Sequence, residues 1–220
     1  DEYRRGLMWD AAALANSDLV SHTSGTTGQM TWRHRSMAEA AVIAKIFAPK
    51  EQPGIDDRTF GLVIRYHRHG MEMPVPGTMT TVPVSLSEDI DVRQAVELFR
   101  SGCALRGVRR FPSVVAGGGM DVALLGTAID GAGACDESAR VERVVLGGFV
   151  PETVRTIIGA TFPNASVFEH YSLAEVFGGA SKAPGAGAFV SDAHVVAEVL
   201  DDEDAATPVG SIGELTLTEL

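Results

Sequence analysis

Thr23-Ser24-Gly25-Thr26-Thr27-Gly28 sets four hydroxyl groups and two glycines in six consecutive positions. Glycines let successive backbone amides turn toward one point, and the hydroxyls add further donors. Placed ahead of a helix, such a loop suits the oxygens of a phosphate. The same composition also makes an ordinary solvated turn, and loop chemistry alone leaves both open. Gln29 stands where a Walker A loop needs lysine, so that motif is absent.

Other residues could carry chemistry. In Tyr66-His67-Arg68-His69, strand alternation puts His67 and His69 on one face at chelating separation, although no further carboxylate or cysteine is evidently aimed at them. His170 is either a substrate contact or a satisfied strand-end residue. Gly117-Gly118-Gly119 would either floor a pocket or let a helix pack closely, and it is not a dinucleotide fingerprint. A hydrolase nucleophile elbow is absent.

These residues need elements to hold them, and the chain alternates strands with helices. Residues 36–48 read as a helix entered directly from the hydroxyl-rich stretch and its basic continuation. Residues 58–66 and 79–86 read as strands, the second at a sheet edge because Pro83 cannot donate a ladder hydrogen bond. Val92, Ala95, Val96 and Phe99 recur at helical spacing over 91–100. A strand over 112–116 breaks into the three glycines and a second helix, and Ala134–Arg140 reads as a polar loop. A strand over 143–146 leads through Gly147-Gly148 to a helix that Pro151 opens. A strand over 166–171, a flexible loop over 182–188, and strands over 194–200 and 212–218 complete the chain. The fold class is α/β, with layered sheets flanked by helices. As domains, 1–19 reads as a lead-in helix, 20–190 as the α/β part and 191–220 as a strand-rich end of one core domain.

Composition narrows the function classes. A chain of 220 residues with 45% hydrophobic and 21% charged residues can bury a real core. The 18 basic against 29 acidic residues give a net charge of −11, which argues against nucleic acid as a partner. No apolar run approaches the ~18 residues that a membrane span needs. Cys103 and Cys135 make neither a disulfide framework nor a metal cluster, so the cytoplasm is the expected compartment. Exposed edges of an incomplete sheet would allow a homo-oligomer.

The hydroxyl-rich loop resembles the phosphate loop of the adenylate-forming enzymes, the superfamily of acyl- and aryl-CoA ligases and peptide-synthetase adenylation domains. Three further matches follow in that superfamily's order. Leu146-Gly147-Gly148 resembles the glycine turn near the adenine. Tyr171-Ser172-Leu173-Ala174-Glu175-Val176 resembles the Y-G-x-[ST]-E motif. Gly213-Glu214-Leu215 resembles the strand leading to a ribose-binding aspartate. Thr31, three residues after the loop's last glycine, and the form of the Tyr171 motif are similar to the phenylacetate–CoA ligase branch. The resemblance covers roughly residues 20–220 and is weakest between 50 and 140.

The resemblance implies ATP-dependent activation of a small carboxylic acid as its adenylate, then transfer to a thiol of CoA or a carrier protein. Both reactants are anionic, so such a site must neutralise charge and align the attack. Thr23 to Gly28 would cradle the leaving phosphates, with Thr26 and Glu175 as the catalytic residues. Glu175 would hold Mg2+, which takes carboxylate and phosphate oxygens. Tyr171 would lie along the adenine, with Gly147, Gly148 and Ser172 beside it. His67, His69, Gly118 and His170 would border the acid.

The sequence also departs from that pattern. Ser172 replaces a glycine, Ala174 a hydroxyl residue and Met30 the loop proline, and Phe149 stands where an acidic or small residue is usual. The chain opens Asp1-Glu2-Tyr3 and closes at Leu220, before the ribose-binding aspartate and the small C-terminal domain with its lysine. It is therefore expected to be a fragment of a longer enzyme or a shortened relative. The alternative function is an adenylation-like module that binds a nucleotide or acyl ligand without completing the reaction, or only with a partner.

Overall fold

Along one strand, Val144 and Leu146 are fully buried while Arg143, Val145 and Gly147 between them are half-buried. That alternation puts one face of a sheet into a core and leaves the other less covered. The computed structural model describes residues 17–22, 32–39, 41, 59–64, 80–105, 107–148, 150–172 and 179–219.

The first described elements are β1 (Leu19–His22) and β2 (Trp32–Arg35), paired antiparallel from Leu19 opposite Arg35 to His22 opposite Trp32. The basic continuation of the hydroxyl-rich stretch is thus a strand, and helical residues begin only at Met37. Ser36 explains the boundary. The Glu39 amide donates to Ser36 Oγ (3.1 Å) and the Ser36 amide to Glu39 Oε2 (3.4 Å), a reciprocal cap. The Asp18 carboxylate accepts from the Met37 amide at 2.9 Å.

Next come β3 (Phe60–Ile64) and β4 (Thr80–Val84), then helix α1 (Asp89–Ser101). Asp89 and Asp91 lie in its first turn and Arg100 in its last, complementing the helix dipole. Gly102 ends it at φ 66°, where a Cβ would stand 2.4 Å from the Arg110 carbonyl oxygen, so only glycine fits. The hairpin β5 (Cys103–Leu105) and β6 (Val108–Arg110) follows. Then come β7 (Val114–Gly118) and α2 (Gly119–Gly131), the strand running two glycines further than expected. Within the expected polar loop lies a short helix, α3 (Cys135–Ser138). Buried Ser138 anchors it by donating from Oγ to the Thr161 carbonyl at 2.6 Å. The chain continues through β8 (Arg143–Gly147), α4 (Glu152–Thr161) and β9 (Ser166–Ser172). It ends with β10 (Gly179–Lys182), β11 (Val190–Ser191), β12 (Val195–Leu200) and β13 (Glu214–Glu219), the last two forming a separate hairpin.

Seven strands form one sheet in the order β11-β10-β9-β8-β7-β3-β4. From β9 to β4 every neighbour is parallel, and β10 and β11 add antiparallel strands at one end. The steps β7 to β8 to β9 advance one strand each through α2 and α4. Right-handed crossovers of that kind put their helices on one face. Ala95, Val96 and Phe99 of α1, Val122, Leu125 and Ile129 of α2, and Val154 and Ile158 of α4 form one core with Leu62, Val115, Val144 and Leu146. Gly126 of α2 lies so close to α4 that a Cβ would stand 2.6 Å from Thr161 Oγ1. At the other end of the sheet, the Thr80 amide donates to the Thr59 carbonyl. The alternation of a parallel ladder then turns the amide positions of Thr81 and Pro83 away from β3. Proline therefore gives up no ladder bond there, and Pro83 occupies the edge strand as the sequence predicts.

Candidate functional site

Strands β7, β8 and β9 end together at their carboxyl edge, where ligands bind in open α/β sheets. The register sets Gly118 opposite Gly147 and Gly147 opposite His170. On the antiparallel side His170 faces Ser181. Gly118, Gly147, His170 and Ser181 thus form one row across four strands, on the face opposite the helices. Three of them are sequence-predicted site residues, and pairing alone brings them together.

The two glycines keep this row low. Among the described residues, a Cβ on Gly147 would find only the Gly117 carbonyl oxygen, at 3.8 Å. Gly148 turns out of β8 at φ 75°, and its amide donates to the His170 carbonyl at 3.3 Å. That bond ties the glycine turn to the start of the Tyr171 motif. Gly118 precedes the first turn of α2, where Asp121 brings a carboxylate: a Cβ on Gly118 would meet Asp121 Oδ2 at 2.8 Å. Gly117 faces the other way, and its Cβ would stand 2.9 Å from Ile64 Cβ in the core. Close packing thus accounts for Gly117, while Gly118 belongs to the row.

His170 is half-buried, and its Nδ1 lies 3.1 Å from Ser181 Oγ. Ser181 Oγ in turn donates to Asp192 Oδ1 at 3.5 Å, and Asp192 Oδ2 accepts from the Gly179 amide at 2.8 Å. Burial pushes the imidazole below its ordinary pKa, and the Asp192 carboxylate opposes that in part. The preceding residue points into the helix layer. Glu169 is buried and takes both prongs of the Arg155 guanidinium, Nη2 to Oε2 at 2.7 Å and Nη1 to Oε1, with Lys182 Nζ 3.6 Å away. Hydrogen bonding from Arg155 holds its carboxyl below the usual range against the opposing effect of burial. Glu169 is therefore a committed structural anion, and adjacent positions on β9 serve opposite faces.

Tyr171, 36% exposed, follows His170 on β9 and opposes Ala180, so strand alternation sets it outside the row, and Ser172 pairs with Gly179. Ser181 and Asp192 had no signal in the sequence, because two common residue types eleven positions apart meet His170 only through strand register. Thr23, Ser24, Gly25, Thr26, Thr27, Gly28, His67, His69 and Glu175 lie outside the described residues. Among the described residues no group of three His, Cys, Asp or Glu side chains could hold a metal ion. No helix among them is long and apolar enough to cross a membrane.

No family model and no curated protein matches the sequence. Solved structures match the fold. An open conformation of 2-hydroxyisobutyryl-CoA ligase in complex with 2-HIB-AMP and CoA is 14% identical with a TM-score of 0.70, covering 93% of this chain and 45% of that one. ATP-bound MatB from Rhodopseudomonas palustris is 16% identical with a TM-score of 0.64, covering 93% and 40%. The N-terminal subdomain of Klebsiella oxytoca NpsA, in complex with 3-hydroxyanthranilyl-AMSN, is 15% identical with a TM-score of 0.61, covering 92% and 50%. The fold is that of the N-terminal domain of adenylate-forming enzymes, and the chain spans half or less of the length of these proteins.

Proposed function

We propose that this chain is the core of an enzyme that uses ATP to activate a carboxylic acid as an acyl- or aryl-adenylate and passes the acyl group to a thiol. The observation that carries the reading is the meeting of two separate motifs. Leu146-Gly147-Gly148 and His170-Tyr171-Ser172 lie in adjacent strands and are joined by the Gly148 to His170 hydrogen bond. The fold supports it, since structures sharing this architecture carry ATP, an acyl adenylate or CoA.

In this reading Thr23 to Gly28 hold the β- and γ-phosphates, with Thr26 among the donors. Glu175 offers Mg2+ the carboxylate oxygen such an ion takes, and the ion would supply charge neutralisation. Tyr171, Gly147, Gly148 and Ser172 border the adenine, while His67, His69, Gly118 and His170 border the acid. The acceptor is CoA or a carrier protein, and the motif details favour the phenylacetate–CoA ligase branch. Residues 1–220 act as one core domain, capable of pairing with a second copy. The free thiols Cys103 and Cys135 suit the cytoplasm.

The test is calorimetric titration of the chain with Mg·ATP, alongside Glu175→Ala and Thr26→Ala. Saturable one-site binding that weakens at least tenfold in both variants is expected, and it would justify screening acids by pyrophosphate release. Absence of binding by a folded chain would leave a module that needs a partner or binds no nucleotide.

A further inference from the structure

We infer that Ser181 and Asp192 are positioning residues that fix His170 in one orientation and in its Nδ1–H tautomer at the carboxyl edge of the sheet. Three constraints lead there. Asp192 is pinned from two directions: its amide donates to the Gly179 carbonyl at 2.9 Å, and its Oδ2 accepts from the Gly179 amide at 2.8 Å. An ionised carboxylate only accepts, so the proton shared between Asp192 Oδ1 and Ser181 Oγ belongs to the hydroxyl. A serine hydroxyl has one proton to give. With that proton directed at a charged acceptor, the contact between Ser181 Oγ and His170 Nδ1 takes its proton from the ring.

The charged groups nearby agree with this direction. Asp192 lies on the same side of the sheet as the ring. Glu169 and Lys182 oppose each other in register on the helix side, where Arg155 and Lys182 satisfy Glu169. The hairpin of β10 and β11 is thus more than an added edge, because it supplies the two residues that orient a ring standing on β9. The consequence for a ligand rests on the reading proposed above: the acid would meet an imidazole whose orientation and proton are set before binding.

The test is long-range 15N–1H correlation NMR of histidine-labelled full chain at pH 7.5, with the His170 signals identified by their loss in His170→Gln. The Nδ1–H form is expected to dominate in the wild type and in Ser181→Thr. It should give way to a tautomer mixture in Ser181→Ala and Asp192→Asn, with amide spectra showing the fold retained. If nucleotide binding is found, KM for the acid should rise at least fivefold in Ser181→Ala and recover in Ser181→Thr. A dominant Nε2–H form in the wild type, or a ratio unmoved by both Ser181→Ala and Asp192→Asn, would overturn the assignment. The tautomer is read without ATP or acid, so its outcome stands apart from that of the ligase reading.

Discussion

On the helix-covered face of the sheet, Leu62, Val115, Val144 and Leu146 are fully buried, whereas their neighbours Val63, Ala116, Val145 and Gly147 on the other face are half-buried. The same strands therefore serve two purposes. One face buries apolar volume, where what matters is filling space at native density. The other carries small residues and one imidazole in a fixed row, and in the function proposed above what matters there is which atoms are offered to a ligand. Substitutions should separate the two: helix-face changes should read out in stability, and open-face changes in binding.

The largest effect is expected from Leu146→Ala, which should cost about 3 kcal/mol in urea unfolding, while Val145→Ala on the same strand should cost about 1 kcal/mol or less. Equal losses would mean that the two faces are equally buried. Arg155→Met should follow at about 2–3 kcal/mol at pH 7, because it strips the main partner from the buried Glu169 carboxylate. The folded-state pKa of Glu169 lies below the ordinary 4.5, so its contribution is present above that value and is lost as pH falls through the lowered one. The difference between wild type and variant should therefore narrow as acid protonates the carboxyl, and a gap that persists once 13C NMR shows Glu169 protonated would show that the pair is not its source.

Next come two glycines on opposite faces. Gly117→Ala forces a methyl to 2.9 Å from Ile64 Cβ and should cost about 1–2 kcal/mol. Gly147→Ala finds nothing closer than 3.8 Å among the described residues, so the melting curve should barely move while ligand binding weakens. The smallest effect is a titration. Asp192 is the group that raises the His170 pKa, so Asp192→Asn should move it further below the ordinary 6.5, as followed by the ring-proton NMR shift. Because the folded-state value is already depressed, stability should decline as pH falls below 6.5, and slightly more steeply in the variant. An upward shift would contradict the assigned geometry.

Particular residues show why some of this was legible in the sequence. Helix α1 declares itself through Val92, Ala95, Val96 and Phe99, because burying one stripe needs that period. Pro83 announced an edge strand for an equally local reason. Trp32-Arg33-His34-Arg35 has no apolar alternation, and its strand depends on pairing with Leu19–His22, ahead of the hydroxyl-rich stretch. The short helix α3 hides among polar residues, since the bond that holds it runs from Ser138 to the Thr161 carbonyl twenty-three positions away. At the site, Gly147, His170 and Tyr171 sit in recognisable local strings. Ser181 and Asp192 do not, because their role exists only once β10 and β11 lie beside β9.

Pro83 also bears on how the molecule behaves in a crowded solution. An open sheet grows by accepting a foreign strand, and two such edges can template aggregation. Among the described residues β4 is the outermost strand, and a strand added there would find, among the outward-facing amide positions of Thr81 and Pro83, one that has no proton to give. Replacing Pro83 with threonine would restore that donor beside another β-branched residue and make the edge adhesive. The proline costs the described sheet no ladder bond, and Pro83→Thr is expected to self-associate more readily, as light scattering would show.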